Sequence, residues 1–442
     1  MDKYLELSNK YDIFIYDSFN IEDIGDKYKI SFKFIVPNLT EYNPYIEVDK
    51  FDINSFSKYL VFHIGLIELI SYWKCTCSKN VIIKAGYINE EQINWFKKIY
   101  YYGLGELFYT NGINVDIDSF MNIKCDCNKE DIEYPNYHGT GNLIPVGGGK
   151  DSNVSLEILK GLNNNAFIIN PKEVTLKCAQ LGGYEQPITV KRVLDKNMID
   201  LNNKGFINGH TPFSSLVSFV SYLSAYTHNM KYIVLSNENS ANESNVHGTK
   251  INHQYSKTYE YENDFNEYTK KYFKIDIHYF SLLRPLSEYQ IGMLFSHYEK
   301  YHNVFKSCNV GSKTEPWKWC CNCPKCLFVY TILSPFLYKD KLINIFGEDM
   351  FENKELLNTF IELIGYGNNK PFECVGTYSE VRYAVSRLIT ELDQLPYLLQ
   401  YYKDNYELEN LNDKLENKWN EENNVPEEFI KLVREELDKY VS

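Results

Sequence analysis

The chain has 442 residues, which is long enough for two or three domains and a sizeable hydrophobic core. Its 59 acidic and 46 basic residues give a net charge of −13, and this argues against a general nucleic-acid binder, which needs a basic face. The longest apolar region, 59–73, contains His63 and Glu68 and is too short and interrupted to span a membrane. The polar amino-terminal residues do not resemble a signal peptide, so we expect a cytoplasmic protein without nucleic-acid or membrane partners.

Residues 1–135 alternate strand-like and helical patterns, which predicts an α+β amino-terminal domain. Strands are predicted at 29–36 and 81–85, and helices at 51–73 and 90–101. Gly103 and Gly105 form a Gly-x-Gly that lacks a third glycine, so we interpret it as a structural turn.

A glycine run separates a short apolar strand from a helical pattern, in the sequence Asn-Leu-Ile-Pro-Val-Gly-Gly-Gly-Lys-Asp-Ser-Asn-Val-Ser-Leu-Glu at 142–157. Consecutive glycines let backbone N–H groups converge on an anion at a helix N-terminus. The run is not a Walker A loop, because Ile144 stands at its first glycine position and Asp151 replaces its hydroxyl residue. The run is not a dinucleotide-binding fingerprint either, because Ser152 stands where the last glycine of that motif should be. A phosphate-binding loop of another kind is indicated, and a plain glycine turn is the alternative.

From residue 143 onward the pattern becomes strand, helix, strand, with further strands predicted at 166–170 and 231–236. This alternation predicts an α/β domain with a parallel sheet over 136–345, in which ligands bind outside the carboxyl ends of the strands. A helical carboxyl-terminal region is predicted at 346–442, ending in a charged amphipathic stretch at 404–440.

Four cysteines in the segment 308–326 have the spacing of a structural zinc site. Cys320, Cys323 and Cys326 stand at three-residue steps, and Cys308 would close a tetrahedral shell. Cys321 could replace Cys320 as a ligand, and packed thiols or an iron–sulfur cluster are the alternatives. Cys-x-Cys pairs at 75–77 and 125–127 are interpreted as buried or incidental thiols, with a second metal site as the alternative.

Two polar segments, 236–243 and 252–257, follow the strand predicted at 231–236 and are expected to face a bound nucleotide. Carboxylates such as Glu238 and Glu243 suit magnesium, which binds through carboxylates, waters and phosphate oxygens. Asn237, His253 and Lys257 could bind phosphate or a substrate carboxylate, and an ordinary polar loop is the alternative.

Three further segments, 208–213, 281–286 and 370–376, are weaker candidates when each is taken alone. Arg284 suits a bidentate clamp on a carboxylate or a phosphate. Cys374, beside Glu373, could be an acid–base thiol or simply a buried cysteine.

The segment Gly-Gly-Gly-Lys-Asp-Ser resembles the Ser-Gly-Gly-x-Asp-Ser loop of the PP-loop ATP pyrophosphatases, which cleave ATP to AMP and pyrophosphate. As a whole, the chain resembles the MurL-type UDP-N-acetylmuramoyl-L-alanyl-L-glutamate epimerases. The segments that carry this resemblance are 71–74, 103–106, 147–152, 205–213, 236–243, 252–257, 283–286, 319–326 and 370–376.

The resemblance implies a PP-loop (adenine nucleotide alpha hydrolase-like) core and inversion of the terminal L-Glu of UDP-MurNAc-L-Ala-L-Glu, with ATP and magnesium consumed through a glutamyl adenylate. The implied pyrophosphate cradle is Gly147, Gly148, Gly149 and Ser152, with Asp151 ordering the loop or magnesium and Lys150 neutralising phosphate. Glu238 and Glu243 are implied to handle metal or protons, Arg284 to clamp a carboxylate, and His253, Glu373 and Cys374 to act as acid–base candidates.

Two other functions remain open. The 7-cyano-7-deazaguanine synthases also combine this loop with a four-cysteine zinc site, so another PP-loop adenylating enzyme that acts on a nucleobase is the first alternative. A non-catalytic nucleotide-binding module is the second, although such a module would be expected to carry a damaged loop.

Overall fold

The computed structural model describes residues 3–314 and 316–441. The outer ends of the predicted first and last domains, residues 1, 2 and 442, lie outside the described residues. The described strands are β1 (Ile13–Asp23), β2 (Lys27–Val36), β3 (Thr40–Tyr42), β4 (Tyr45–Asp49), β5 (Asn80–Ile83), β6 (Asn122–Cys125), β7 (Asn142–Pro145), β8 (Asn164–Ile169), β9 (Ile188–Val193), β10 (Tyr232–Leu235) and β11 (His278–Ser281).

The described α-helices are α1 (Lys3–Lys10), α2 (Ser55–Trp73), α3 (Glu90–Gly103), α4 (Gly105–Thr110), α5 (Lys150–Ile158), α6 (Glu173–Leu181), α7 (Lys196–Asn203), α8 (Phe213–Thr227), α9 (Tyr259–Tyr272), α10 (Glu288–Ser296), α11 (Pro324–Leu333), α12 (Lys339–Phe346), α13 (Leu357–Leu363), α14 (Tyr378–Glu391), α15 (Tyr397–Asn405) and α16 (Glu427–Asp438). No helix in the described ranges combines the length and the apolar character needed to cross a bilayer.

The strands form one mixed, mostly parallel sheet in the order β11-β10-β7-β8-β9-β4-β2-β1-β5-β6, and β3 pairs with β2. The predicted α/β class is therefore confirmed. Strands β9, β8, β7, β10 and β11 are parallel to one another. The chain runs outward from β7 to one side through β8 and β9, and later to the other side through β10 and β11. The strand order thus reverses between β7 and β10, and such a switch point opens a ligand-binding crevice at the carboxyl ends of the strands.

The amino-terminal strands continue the same sheet. Strand β4 pairs antiparallel with β9, with Ile46 opposite Arg192, so the sheet crosses the predicted boundary at 135 without a break. Helix α2 covers this half and begins at a capping box between Asn54 and Ser57. The carboxylate of Glu68 on α2 accepts a hydrogen bond of 2.8 Å from Arg192, which ties α2 to β9.

The secondary structure expected from local patterns is largely confirmed. The strands predicted at 29–36, 81–85, 166–170 and 231–236 correspond to β2, β5, β8 and β10, and the predicted helices correspond to α2 and α3. The carboxyl-terminal region is mostly helical as predicted, but 406–426 is largely irregular and only α16 is a regular helix after it. Pro426 precedes α16, and residues Phe429, Val433 and Leu437 form its buried stripe.

Candidate active site

A cavity of about 410 Å³ lies beside the carboxyl ends of β7 and β10, where the strand order reverses. It is lined by the glycine loop, by the segment after β10, and by parts of the segments around 307–325 and 374. The charged or reactive side chains that face it are Asp151, Glu238, Lys257, Lys325 and Cys374. The volume is in the range of small-molecule sites, and the lining combines apolar walls with a few charged groups.

The glycine loop connects β7 to the N-terminus of α5, as predicted. Gly148 has φ +82°, and a Cβ there would lie 3.1 Å from Val174 Cγ1, so the turn requires glycine. Gly147 lines the cavity, and a Cβ on it would meet no atom within 4 Å, which leaves its backbone open to a ligand. Gly149 is the N-cap of α5, whose first backbone N–H groups have no partners within the helix. These features suit an anion.

Lys150 does not line the cavity. Its side chain is 1% exposed, and its ammonium is hydrogen-bonded to the carboxylates of Asp151 and Glu288. Burial opposes the charge, but the two carboxylates raise the pKa of Lys150 above its ordinary value. The predicted role of Lys150 in neutralising phosphate charge stays a prediction; in this structure its ammonium pairs with Asp151 and Glu288 and so orients Asp151.

Asp151 and Glu238 present carboxylates to the same cavity. Burial opposes the charge on Asp151, but Lys150 and Lys325 hold the pKa of its carboxyl below the ordinary range. Glu238 is 5% exposed and accepts a hydrogen bond of 3.2 Å from Ser240. Two carboxylates facing one space are suitable ligands for magnesium bridged to phosphate.

Glu243 lies apart from this pair. Its carboxylate accepts a hydrogen bond of 2.7 Å from the buried ammonium of Lys370, and it does not line the cavity. The segment 236–243 therefore contributes one of its two predicted carboxylates to the site. Glu243 instead fixes the start of the segment that leads to Cys374.

Arg284 is 0% exposed and lies behind the cavity wall. Its guanidinium donates to the backbone carbonyls of Glu238 at 2.7 Å and Lys257 at 2.5 Å. It also forms an ion pair with Glu262 at 3.3 Å. The predicted clamp on a ligand carboxylate does not match this position, because the guanidinium is buried, does not line the cavity, and bonds through both terminal nitrogens within the protein. Arg284 holds together the two backbone segments that present Glu238 and Lys257.

Cys374 lies at the centre of a chain of polar groups. The ammonium of Lys257 is 3.1 Å from its Sγ, and the ammonium of Lys325 bonds to its backbone carbonyl. Burial opposes ionisation, but Lys257 and a hydrogen bond with His253 lower the pKa of the Cys374 thiol to about 6. A thiol with this pKa is mostly thiolate at neutral pH.

His253 connects Cys374 to Glu106. Its Nδ1 lies 2.5 Å from the Glu106 carboxylate. Burial favours the neutral ring, but hydrogen bonds with Cys374 and Glu106 raise the pKa of His253 to about 9. The ring of His210 packs on it with 4.1 Å between centroids, and burial and the charge on His253 lower the pKa of His210 to about 3.

Glu106, His210 and His253 also place three possible metal-ligand atoms within 4.8 Å of one another. The Glu106–His253 hydrogen bond accounts for their proximity, and we assign no metal to them. Glu373 points elsewhere: its carboxylate accepts a hydrogen bond from the Asn309 amide, and it does not line the cavity.

The four cysteines form a compact cluster. Their sulfur atoms lie within 4.8 Å of one another, with Cys308–Cys323 at 3.8 Å and Cys320–Cys326 at 3.7 Å. Cys321 has φ +53° and donates to the carbonyl of Phe346, which selects Cys320 as the fourth member. Four converging thiols fit a structural zinc ion. Among the described residues, the cysteines at 75, 77, 125 and 127 do not form such a group.

Sequence reasoning missed several residues of the site. Lys325 was concealed within the cysteine segment, Glu106 within the presumed structural turn, and His210 within the segment 205–213. Ser307 was also missed: the residue lines the cavity beside Gly149, and its buried hydroxyl has no hydrogen-bond partner. The available signal was that Glu106, His210 and Lys325 belong to segments that carry the family resemblance.

Comparison with known proteins gives a consistent result. Family models described as the MurL N-terminal domain and the MurL C-terminal domain match residues 6–282 and 304–420. A protein of Micromonospora sp. named UDP-N-acetyl-alpha-D-muramoyl-L-alanyl-L-glutamate epimerase is 34% identical over 337 residues, which are 75% of this chain and 74% of the relative. A protein of the same name from Xanthomonas oryzae pv. oryzae is 32% identical over 339 residues, 75% of this chain and 74% of the relative.

Proposed function

This chain belongs to the MurL family, and from that premise we propose that it converts the terminal L-Glu of UDP-MurNAc-L-Ala-L-Glu to D-Glu in peptidoglycan precursor synthesis. ATP is consumed, AMP and pyrophosphate are released, and a glutamyl adenylate is the activated intermediate. The observation that carries the proposal is that Gly147, Asp151 and Cys374 line one cavity. A phosphate cradle and a reactive thiol thus share one space.

The strand order and the glycine loop support a PP-loop core with ATP phosphates on the loop. Strands β7 to β11 have the doubly wound arrangement whose switch point receives nucleotides. The open face of Gly147, the N-terminus of α5 and the unpartnered hydroxyl of Ser307 form a cradle for an anion. Lys257 and Lys325 also line the cavity and supply positive charge.

Adenylation explains why an epimerase would use ATP. Removing an α-proton beside an ionised carboxylate places negative charge next to negative charge. An oxygen of the glutamate α-carboxylate attacks the α-phosphorus, and pyrophosphate leaves. In the resulting mixed anhydride the carboxyl group no longer has the negative charge of the carboxylate. Each pK unit by which the α-proton becomes more acidic corresponds to ~1.4 kcal/mol, or about tenfold in rate if it is fully expressed in the transition state.

Two metals fit the residues of this chain. Asp151 and Glu238 would hold magnesium, which would supply positive charge to neutralise the pyrophosphate leaving group. Zinc held by Cys308, Cys320, Cys323 and Cys326 would be structural, because four thiolates fill its tetrahedral shell. Lys325 stands between two of these cysteines, so a zinc ion there would help to hold Lys325 against the cavity.

The test is an incubation of the purified protein with ATP, magnesium and UDP-MurNAc-L-Ala-L-Glu in deuterated water. We expect AMP, pyrophosphate and D-Glu that carries deuterium at the α-carbon. Formation of ADP, or AMP without substrate-dependent inversion, would reject the proposal. A deazapurine carboxylate supplied in parallel tests the alternative adenylating function, and we expect no AMP from it.

A further inference from the structure

Three segments that are distant in the sequence meet at the Cys374 thiol. The ammonium of Lys257 donates to its sulfur at 3.1 Å, although the two residues are 117 positions apart in the sequence. The imidazole of His253 lies close enough to the thiol to lower its pKa. On the other side of His253, the Glu106 carboxylate lies 2.5 Å from the imidazole Nδ1. The two residues are 147 positions apart in the sequence. A carboxylate, an imidazole and a thiol in series are the arrangement that activates cysteine nucleophiles and bases.

The position of Cys374, His253 and Glu106 relative to the glycine loop is equally important. Cys374 lines the same cavity as Gly147 and Asp151, whereas Glu106 and His253 do not line it. The thiol alone therefore meets a ligand, and the imidazole and the carboxylate act through it. The side chains of His253 and Glu106 are 13% and 17% exposed, so the hydrogen bond between them is largely shielded from water.

We propose that Cys374 exchanges the α-proton of the activated glutamate and that Glu106, acting through His253, positions and charges this thiol. The proposal rests on the proposed function and assigns the proton transfer that the function requires. Cys374 is the catalytic residue in this assignment, and Glu106 is a positioning residue.

The thiolate of Cys374 takes the α-hydrogen as a proton, forming an S–H bond, and the C–H electron pair stays on the substrate as the enolate of the acyl adenylate. Lys257 and protonated His253 stabilise the thiolate before the transfer. Deuterium enters when the enolate is reprotonated from a group that has exchanged with solvent.

The charged and titratable groups around the thiol and His253 come from several elements. They are Lys257, Lys325, His253, Glu106, His210 and Lys74. Glu106 is the carboxylate that favours the charged form of His253. Its replacement by glutamine lowers the pKa of His253, and loss of the imidazolium in turn raises the pKa of Cys374. In Glu106→Gln, the Cys374 thiol should therefore ionise at a higher pH, and α-proton exchange should reach its full rate only at that higher pH.

The first experiment uses Cys374→Ala and Cys374→Ser in the full-length protein. Adenylation and proton exchange are measured separately, the former as AMP and pyrophosphate release and the latter as deuterium in glutamate. We expect exchange to fall by about 10²–10⁴-fold, which is the usual contribution of a general base, while AMP still forms. Cys127→Ser, a thiol that bonds only to a nearby carbonyl and lies outside the site, should leave both unchanged. Exchange at the wild-type rate in both Cys374 variants would overturn the proposal.

The second experiment tests Glu106 by a pH profile. In Glu106→Gln we expect the acid limb of the exchange rate to move up by about one pH unit, with recovery of the rate at high pH. Glu106→Asp should restore most of the wild-type profile, and Glu91→Gln, at a surface ion pair with Lys271, should not change it. A uniform loss at every pH would indicate a merely structural role and contradict the assignment.

Failure of this assignment is distinguishable from failure of the proposed function. If the function is wrong, the wild-type protein itself releases no AMP with the muramyl dipeptide. If only the assignment is wrong, the wild type forms AMP and exchanges the α-proton, and the Cys374 variants do so equally well.

Discussion

The ammonium of Lys325 donates a hydrogen bond to the backbone carbonyl of Cys374, and Lys325 directly precedes Cys326 of the four-cysteine cluster. The cluster is thus connected through one residue to the thiol that faces the cavity. A metal ion in the cluster would set the position of the start of α11, and with it Lys325.

This connection predicts that metal loss disrupts both stability and activity. Cys323→Ser should lose bound zinc and a sizeable part of the roughly 10 kcal/mol that a structural zinc supplies in zinc-finger peptides. The measurements are metal content, melting temperature and AMP release. Cys321→Ser is the matched control, because the Cys321 thiol bonds to the Phe346 carbonyl instead. A metal-free protein with wild-type melting temperature and AMP release would contradict this account.

Asp151→Asn should abolish AMP formation without unfolding the protein. The substitution removes one of two carboxylates that face the cavity but leaves the buried ion pair of Lys150 with Glu288 in place. We expect AMP release to fall by at least about 100-fold, as for the loss of one preorganised electrostatic contact. AMP release is measured with the muramyl dipeptide, and an unchanged melting temperature shows that the fold is intact. Full activity would remove Asp151 from the site.

Gly148→Ala tests the glycine loop. An alanine at φ +82° costs about 1–2 kcal/mol in backbone conformation, and its Cβ would also lie 3.1 Å from Val174. Gly161→Ala is the matched control, because Gly161 has φ +89° and open space around its Cβ position. Both variants should lose similar stability in denaturant unfolding, but only Gly148→Ala should lose pyrophosphate release. Equal activity of the two variants would contradict a role for the loop in phosphate binding.

Arg284→Met distinguishes a structural role for Arg284 inside the protein from a role in binding the substrate carboxylate. The substitution leaves the buried carboxylate of Glu262 without its cation, which should lower the free energy of unfolding by about 3–5 kcal/mol. AMP release should fall as well, because the carbonyls of Glu238 and Lys257 lose their donor. A stable variant with only a raised KM for the muramyl dipeptide would support the clamp instead.

Acid should destabilise the protein through His63, which is buried on α2 and bonded to Tyr268 at 2.8 Å. Burial lowers the pKa of His63 to about 3, so the folded state stays neutral where the unfolded chain binds a proton. Stability is therefore lost as the pH falls below about 6.5, by up to ~2.7 kcal/mol at pH 4.5. The measurement is the free energy of unfolding of the wild type and of His63→Phe at pH 7 and at pH 4.5. The variant should be less stable than the wild type at pH 7, but its free energy of unfolding should fall less on acidification. Equal losses in both proteins would contradict it.

The features that were predictable from sequence are local ones. The glycine loop, its strand and its helix lie within residues 142–158, and the close spacing of three of the cysteines places them in one compact cluster with Cys308. Contacts between distant segments left no such signal. Glu106 and His253 are separated by 147 positions, and the pairing of β4 with β9 joins two halves that looked like separate domains.

Burial was the second property that residue type did not reveal. Lys150 and Arg284 were expected to meet a ligand because they are cationic and lie beside the right motifs. In the fold both are nearly inaccessible, and their charges are matched by Glu288 and Glu262. Lys257 and Lys325 face the cavity instead, and only the packing of the loops distinguishes the two pairs.

The central claim is that the glutamate α-carboxylate becomes joined to AMP before its proton is exchanged. The most direct measurement uses UDP-MurNAc-L-Ala-L-Glu with ¹⁸O in the α-carboxylate of glutamate, incubated with ATP and magnesium in deuterated water. Attack of water on the carbonyl carbon of the adenylate leaves one carboxylate oxygen on phosphorus. The account predicts AMP that contains ¹⁸O, together with D-Glu that carries deuterium at the α-carbon. Inversion with unlabelled AMP, or with ¹⁸O in inorganic phosphate, would contradict it.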